Sequence, residues 1–153
     1  MRKILTTIVL LAASLPLLAI SCDDISSENL VSLLEDAGYT ARVDEEGDVE
    51  FEDSYGMVYY IVHVPSERRL WIQCGWYASD WVDSSSAFRL MNECNSSLTV
   101  VRGWYEPVSH SFFWDYDLLY SEAGLDDDLF IYAVASFVRQ SDILTDFLIS
   151  EGA

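Results

Sequence analysis

MVYYIVHVPSERRLWIQCGWY, residues 57–77, is two apolar runs on either side of a short polar link. Met57–Val64 is rich in valine, isoleucine and tyrosine, the residue types that fit a pleated surface. Leu70–Tyr77 alternates Leu70, Ile72, Cys74 and Trp76 with Trp71, Gln73 and Tyr77, the period of a strand with two different faces. Between them, Pro65-Ser66-Glu67-Arg68 reads as a turn. Two strands joined by so short a link pair antiparallel, because a parallel pair needs a crossover of a dozen residues or more.

The pattern extends outward from this hairpin. Upstream, Ser26 or Ser27 can cap a helix whose stripe is Leu30, Leu33, Leu34 and Ala37, with Gly38 to end it. Tyr39 to Asp44 and Val49 to Asp53 read as strands around the loop Glu45-Glu46-Gly47-Asp48. Downstream, Asp83 or Ser84 can cap a helix over residues 85–96. Strands follow at 99–105 and 111–120. Gly124 and Asp126 open a last helix that runs to about Ser150, and its first half, Leu129 to Val138, is apolar enough to predict the most buried helix. The predicted order is α-β-β-β-β-α-β-β-α, an α+β fold with an antiparallel sheet and its helices on one face.

The first segment is of a different kind. Arg2 and Lys3 precede an apolar run from Ile4 to Ala19, and small residues follow. That is the layout of a secretory signal peptide. The run is too short for a membrane span and contains Pro16. Ala19-Ile20-Ser21 suits an ordinary signal peptidase, while Leu18-Ala19-Ile20-Ser21-Cys22 resembles the lipobox of bacterial lipoproteins. Both routes cut before Cys22. The expected division is a signal peptide over 1–21, a short anchor or linker over 22–26 and one domain over 27–153. Cys22 is the expected lipidation site, and Asp23 after it resembles an inner-membrane retention signal. The expected location is therefore the periplasm, as an inner-membrane-anchored lipoprotein, with a soluble periplasmic or secreted protein as the alternative.

All 26 acidic residues lie after residue 21, against six arginines there, which leaves a net charge of −20 for 22–153. Such a surface repels phosphate backbones and argues against nucleic acid as a partner. It also disfavours docking on anionic lipid, so membrane contact is expected only through an acyl anchor.

With Cys22 assigned to the anchor, Cys74 and Cys94 are left. Cys74 lies on the strand face of Leu70, Ile72 and Trp76, and Cys94 on the helical stripe Ala87, Met91 and Leu98, so both turn toward one core. Two readings stay open. A bridge would close a loop of about 20 residues, worth roughly 3 kcal/mol. Otherwise both are buried free thiols.

No catalytic signature emerges. Asp44-Glu45-Glu46-Gly47-Asp48 lacks the ligand spacing of an EF-hand loop and reads as a solvated turn. Asp126, Asp127 and Asp128 suit a helix start, where the dipole favours negative charge. His63 and His110 are the only histidines, and neither sits in a nucleophile motif. No metal, no cofactor and no catalytic residue is expected. The remaining signal is the sheet. If Cys74 faces the helices, Trp71, Gln73 and Tyr77 face away, and Tyr59, His63, Arg102 and Trp104 are expected to join them in a partner-binding face. The expected function is a non-enzymatic, exported domain that binds a protein or peptide, or a second copy of itself. A small-ligand sensor with a pocket under the last helix is the first alternative, and a hydrolase using His63 or His110 the second.

The stretches LVSLLEDAGYTARVDEEGDVEFEDSYGMVYYIV (30–62), AFRLMNECNSSLTVVRGWYEP (87–107) and FFWDYDLLYSEAGLDDDLFIYAVASFV (112–138) together resemble the YbjN family. They match its first helix and acidic hairpin, its second helix with spaced asparagines (Asn92 and Asn95 here), and its closing strand, turn and helix. The resemblance implies a fold like that of type III secretion chaperones and a role as a bacterial sensory-transduction regulator. It carries no catalytic residues. Many relatives look cytosolic, so the export signal is a departure.

Overall fold

A computed structural model describes residues 19–98 and 101–153. The apolar run of the expected signal peptide, up to residue 18, and the start of the strand expected from Thr99 lie outside the described residues. The chain forms β1 (Ala19–Ile20), α1 (Ser27–Asp36), β2 (Thr40–Val43), β3 (Val49–Glu52), β4 (Val58–Val64), β5 (Arg69–Tyr77), α2 (Ser84–Ser97), β6 (Arg102–Glu106), β7 (Ser111–Leu119), β8 (Leu125–Asp126) and α3 (Asp127–Ser150). The three helices and six main strands fall in the predicted order.

Each helix starts at a side-chain cap. Ser26 accepts from the Asn29 N–H, Asp83 from Ser86 and Asp126 from Leu129. These carboxylate and hydroxyl oxygens satisfy donors that the first turn leaves unpaired.

Six strands make one antiparallel sheet in the order β2-β3-β4-β5-β7-β6. The first four follow the chain. The α2 crossover then carries β6 to the far edge, leaving a slot that β7 fills by turning back between β5 and β6. β7 can occupy that slot because it is long and its alternate residues Phe112, Trp114 and Leu118 are buried. Val49 and Phe51, Tyr59 and Ile61, and Leu70, Ile72 and Cys74 continue the same buried face across the sheet. Onto it pack Leu30 and Leu34 of α1, Ala87, Leu90, Met91 and Cys94 of α2, and Phe130, Val134, Phe137, Leu144 and Leu148 of α3. All three helices therefore lie on one side of the sheet, and among the described residues the other side carries none.

Four features of the structure bear on the sequence reading. First, α3 is the most buried of the three helices, as expected, with eight buried residues of 24, yet it is buried on one side only: Leu129 and Tyr132 are 50% and 72% exposed. In a two-layer fold an outer helix has just one face to bury, however apolar its sequence. Second, the chain entering α1 is held to the domain. Ile25 is in the core and Ser26 caps α1. Third, β1 and β8 add a two-stranded ribbon, in which the Ile20 N–H donates to Asp127 Oδ1. Gly124, at φ +108°, lets the chain pass there, since a Cβ would strike the Ile20 carbonyl.

Fourth, of the two readings left open for Cys74 and Cys94, the structure has the free buried thiols. Cys94 rides on α2 above β6, and β7 separates β6 from β5, which carries Cys74. Two strand spacings, about 9–10 Å, lie between them before the height of the helix is added, which is beyond disulfide reach. The Cys74 thiol instead donates to the Val58 carbonyl at 3.2 Å. Burial pushes the Cys74 thiol up to about 12 and the Cys94 thiol to about 11.

The exposed edge of β6 is closed by a side chain. Asn95 of α2 donates from Nδ2 to the Gly103 carbonyl and accepts from the Gly103 N–H at Oδ1, both at 2.8 Å. One amide thus substitutes for a seventh strand at that point. Unpaired strand edges invite pairing between copies. Asn95→Ala is expected to lower stability by about 1–2 kcal/mol through the two lost bonds and to raise the aggregation rate on heating. Urea melts and light scattering would check it, and an unchanged scattering onset would remove the edge-guarding role.

Candidate functional site

The bare side of the sheet is built from the residues that alternate with the core. One continuous row crosses it: Arg42, Glu50, Tyr60, Gln73, Asp115 and Arg102. Beside that row lie Trp71 against Asp117, and Gly75 against Phe113 and Trp104.

Five of the seven expected face residues are here: Trp71, Gln73, Tyr77, Arg102 and Trp104. Tyr59 and His63 are not. The register pairs Tyr59 with Cys74 and His63 with Leu70, both of which point to the helices. Directly opposed residues share a face, so assigning Cys74 to the core also assigns Tyr59 there. Tyr59 is fully buried, stacked on Phe51 at 5.0 Å and edge-on to Phe137 at 6.0 Å. His63 is half-buried, its Nε2 2.7 Å from the Tyr120 hydroxyl, and burial lowers its pKa. Tyr60, Phe113 and Asp115 stand on this face as well.

A charge network ties the face together. Asp115, only 6% exposed, accepts from Arg102 Nε at 3.0 Å, Arg102 Nη2 at 2.9 Å and Trp71 Nε1 at 2.8 Å. Arg102 Nη2 also reaches Asp117 at 2.9 Å, and Arg69 reaches Asp117 from the other side at 3.0 Å. The hydrogen bonds it donates to Asp115 raise the Arg102 pKa above its ordinary value. Trp71 and Arg102 are therefore held in place by the protein itself. Trp104 is freer. It stacks on Phe113 at 5.6 Å and remains 36% exposed.

At one end the sheet has a notch. The β4–β5 pairing ends at Tyr59 and Cys74, while Gly75, Trp76 and Tyr77 run on, paired with β7 alone. The space left on the bare side is a groove of about 1080 Å³. Tyr60, Tyr77 and Phe113 form apolar parts of its wall, and the acidic β2–β3 hairpin with Asp44, Glu45 and Glu46 forms its rim. Tyr77 is 83% exposed. The hairpin holds its own shape: Asp44 Oδ1 accepts from the Glu46 and Asp48 N–H groups, both at 2.9 Å. That is an Asx-type turn, the solvated loop the sequence suggested. Burial, with Asp44 and Glu46 nearby, raises the Asp48 pKa.

Each histidine is hydrogen-bonded to a tyrosine, His63 to Tyr120 and His110 to Tyr105. His110 Nε2 lies 3.2 Å from the Ser79 carbonyl, which can only accept, so this nitrogen carries the proton. Its Nδ1 then accepts from the Tyr105 hydroxyl at 2.6 Å. The neighbouring Ser111 hydroxyl donates to the Ser109 carbonyl rather than to an imidazole. Among the described residues, no three acidic, histidine or cysteine side chains converge to hold a metal ion. Cys22 lies in a one-turn 3₁₀ segment over Cys22–Asp24 and is partly exposed.

Comparison with known proteins adds to this geometry. A search of curated proteins finds no significant sequence match. The crystal structure of YbjN from E. coli matches with a TM-score of 0.66, over 84% of this chain and 93% of that chain, at 12% identity. At that identity the likeness speaks for the fold. A family model described as "Putative bacterial sensory transduction regulator" matches residues 26–149, which span α1 through nearly all of α3. The chain belongs to the YbjN family.

Proposed function

We infer that this protein is a non-enzymatic regulatory domain that binds an extended segment of a protein partner on the bare face of its sheet. The observation that carries the reading is the groove at the notch, where exposed aromatics stand beside a rim of carboxylates. Exposed aromatic clusters on an otherwise polar surface are characteristic of binding sites. The pre-formed network around Asp115 supports it, because a face already rigid loses less entropy on binding.

The export reading belongs to the same proposal. A signal peptide cut before Cys22, followed by acylation of Cys22, would present this domain on the periplasmic side of the inner membrane. Under that reading β1 exists only in the precursor, since Ala19 and Ile20 precede the cut. The partner is then a membrane-associated or periplasmic protein, or a second copy of this chain. Mass spectrometry of the protein from its membrane fraction tests this half. A 22–153 chain carrying acyl groups is expected, and an unmodified full-length chain would end the anchoring idea.

The binding half is tested with Tyr77→Ser and Trp104→Ser together. Both side chains are exposed, so the far-UV spectrum and Tm should stay near those of the parent. Photo-crosslinking from Gln73 to the partner is expected to fall at least tenfold. Crosslinks that persist at the parental level in a folded double variant would move the site elsewhere.

A further inference from the structure

On the helix side of the same notch is a second cavity, of about 570 Å³, between the β3–β4 turn, the end of β5 and α3. It lies beside the last helix, where a small-ligand pocket was expected if this domain were a sensor. Asp53, Asp142 and Asp146 contribute three carboxylates, and Tyr55 and Trp76 two aromatic rings. Among the described residues no ion pair involves any of the three. Asp142 and Asp146 are one turn apart on α3, where like charges repel. Burial, then the charges of Asp53 and Asp146, raise the pKa of Asp142.

A second and independent feature is Thr145. It lines the cavity, is only 8% exposed, and its Oγ1 has no hydrogen-bond partner among the described residues. Helical hydroxyls usually return to the carbonyl four residues back. Ser141, one turn earlier, does so, donating to Phe137 at 3.0 Å. A buried hydroxyl left unsatisfied is costly, and such groups are uncommon in folded proteins. Its placement among three acids that lack a cation points to a missing donor with positive charge.

We propose that this cavity binds a primary ammonium group, with Asp142, Asp146 and the Thr145 hydroxyl as acceptors and Trp76 and Tyr55 as its aromatic walls. A bare metal ion fits less well. Asp53 already accepts from the Tyr55 and Met57 N–H groups at 2.8 and 3.0 Å and from the Tyr59 hydroxyl at 3.1 Å. It therefore supplies field rather than a free ligand oxygen. An ammonium group brings three donors that can be shared among separated acceptors, and it gains from aromatic faces. The group has two sources, a free small amine or a lysine side chain of a peptide. The inference does not depend on binding at the bare face, which lies on the other side of the sheet.

The test uses the full chain in calorimetric titrations with cadaverine and with the peptide acetyl-Gly-Lys-Gly-amide, at constant ionic strength. Saturable one-to-one binding of at least one probe is expected. Cadaverine alone would mark a free amine, and the peptide alone or more tightly would mark a lysine side chain. Thr145→Val keeps the shape and removes the hydroxyl. It should leave Tm unchanged or slightly higher, because that hydroxyl bonds nothing, while weakening the probe about tenfold. Asp142→Asn should weaken it at least as much. No saturable heat with either probe, equal affinity in both variants, or displacement by calcium at matched ionic strength would each overturn the proposal. Crosslinking at the bare face should be unaffected by Thr145→Val, so failure here and failure there are separate results.

Discussion

Replacing Trp114 with alanine is expected to destabilise the protein by about 3–5 kcal/mol, a large share of the roughly 5–15 kcal/mol that holds a typical domain folded. Trp114 is the largest fully buried side chain and sits on β7, the strand wedged between β5 and β6. Its removal empties the middle of the core beneath α3. It also breaks a polar relay: the indole N–H donates to Ser141 Oγ at 2.7 Å, and that hydroxyl donates to the Phe137 carbonyl at 3.0 Å. Buried indoles need such a partner. Trp114→Phe separates the two effects. It keeps most of the volume and leaves Ser141 bonded to Phe137, so only an acceptor position is lost. A smaller loss, about 1–2 kcal/mol, is expected in urea melts. If Trp114→Ala melts within 1 kcal/mol of the parent, β7 is not the keystone of this core.

Asp115→Ala is expected to cost about 2–3 kcal/mol, through three hydrogen bonds to a nearly buried carboxylate. The Arg102 end is the weaker part, because its side chain is 66% exposed and water screens it. The Trp71 end is less exposed and contributes more per bond. Asp115→Asn keeps an acceptor for Trp71 but loses the charge that pairs Arg102, and should fall midway. Raising salt to 1 M should leave most of the wild-type stability in place, since a buried carboxylate is poorly screened. If Arg102→Ala costs as much as Asp115→Ala, the ion pair rather than the indole bond dominates. The variant also speaks to function: with Asp115 gone, Trp71 and Arg102 lose their common anchor, and the bare face should bind its partner more weakly than stability alone predicts.

These two neighbours on β7 show how far sequence reading reaches. Trp114 and Asp115 are adjacent, so period 2 alone sends them to opposite faces, and their burial on the core side and on the bare side follows. The three helices were equally legible, because an amphipathic stripe and a capping oxygen are local properties. Ser26, Asp83 and Asp126 each cap a helix at a place the sequence marked.

What alternation within one strand cannot supply is which residue lies opposite. Tyr59 was misplaced for that reason. Its strand is apolar on both faces, and only the pairing with Cys74 decides which side it takes. The same information was missing for the cysteines. Each points to the core, but their separation depends on β7 entering between β5 and β6. The notch, too, is a matter of register: β5 runs three residues beyond its last pair with β4, a difference invisible until the strands are aligned. The one available signal was the spaced asparagines, of which Asn95 proved to close the β6 edge.

By itself the sequence determined the element types, the antiparallel hairpin at 57–77, the acidic surface and the family, because these rest on local periodicity, turn chemistry and charge. The tertiary structure alone decided strand order, register and hence the two cavities at the notch. Those depend on residues far apart in the chain meeting, such as Asp53 and Asp142 around one cavity, and no local pattern encodes which distant segments will meet.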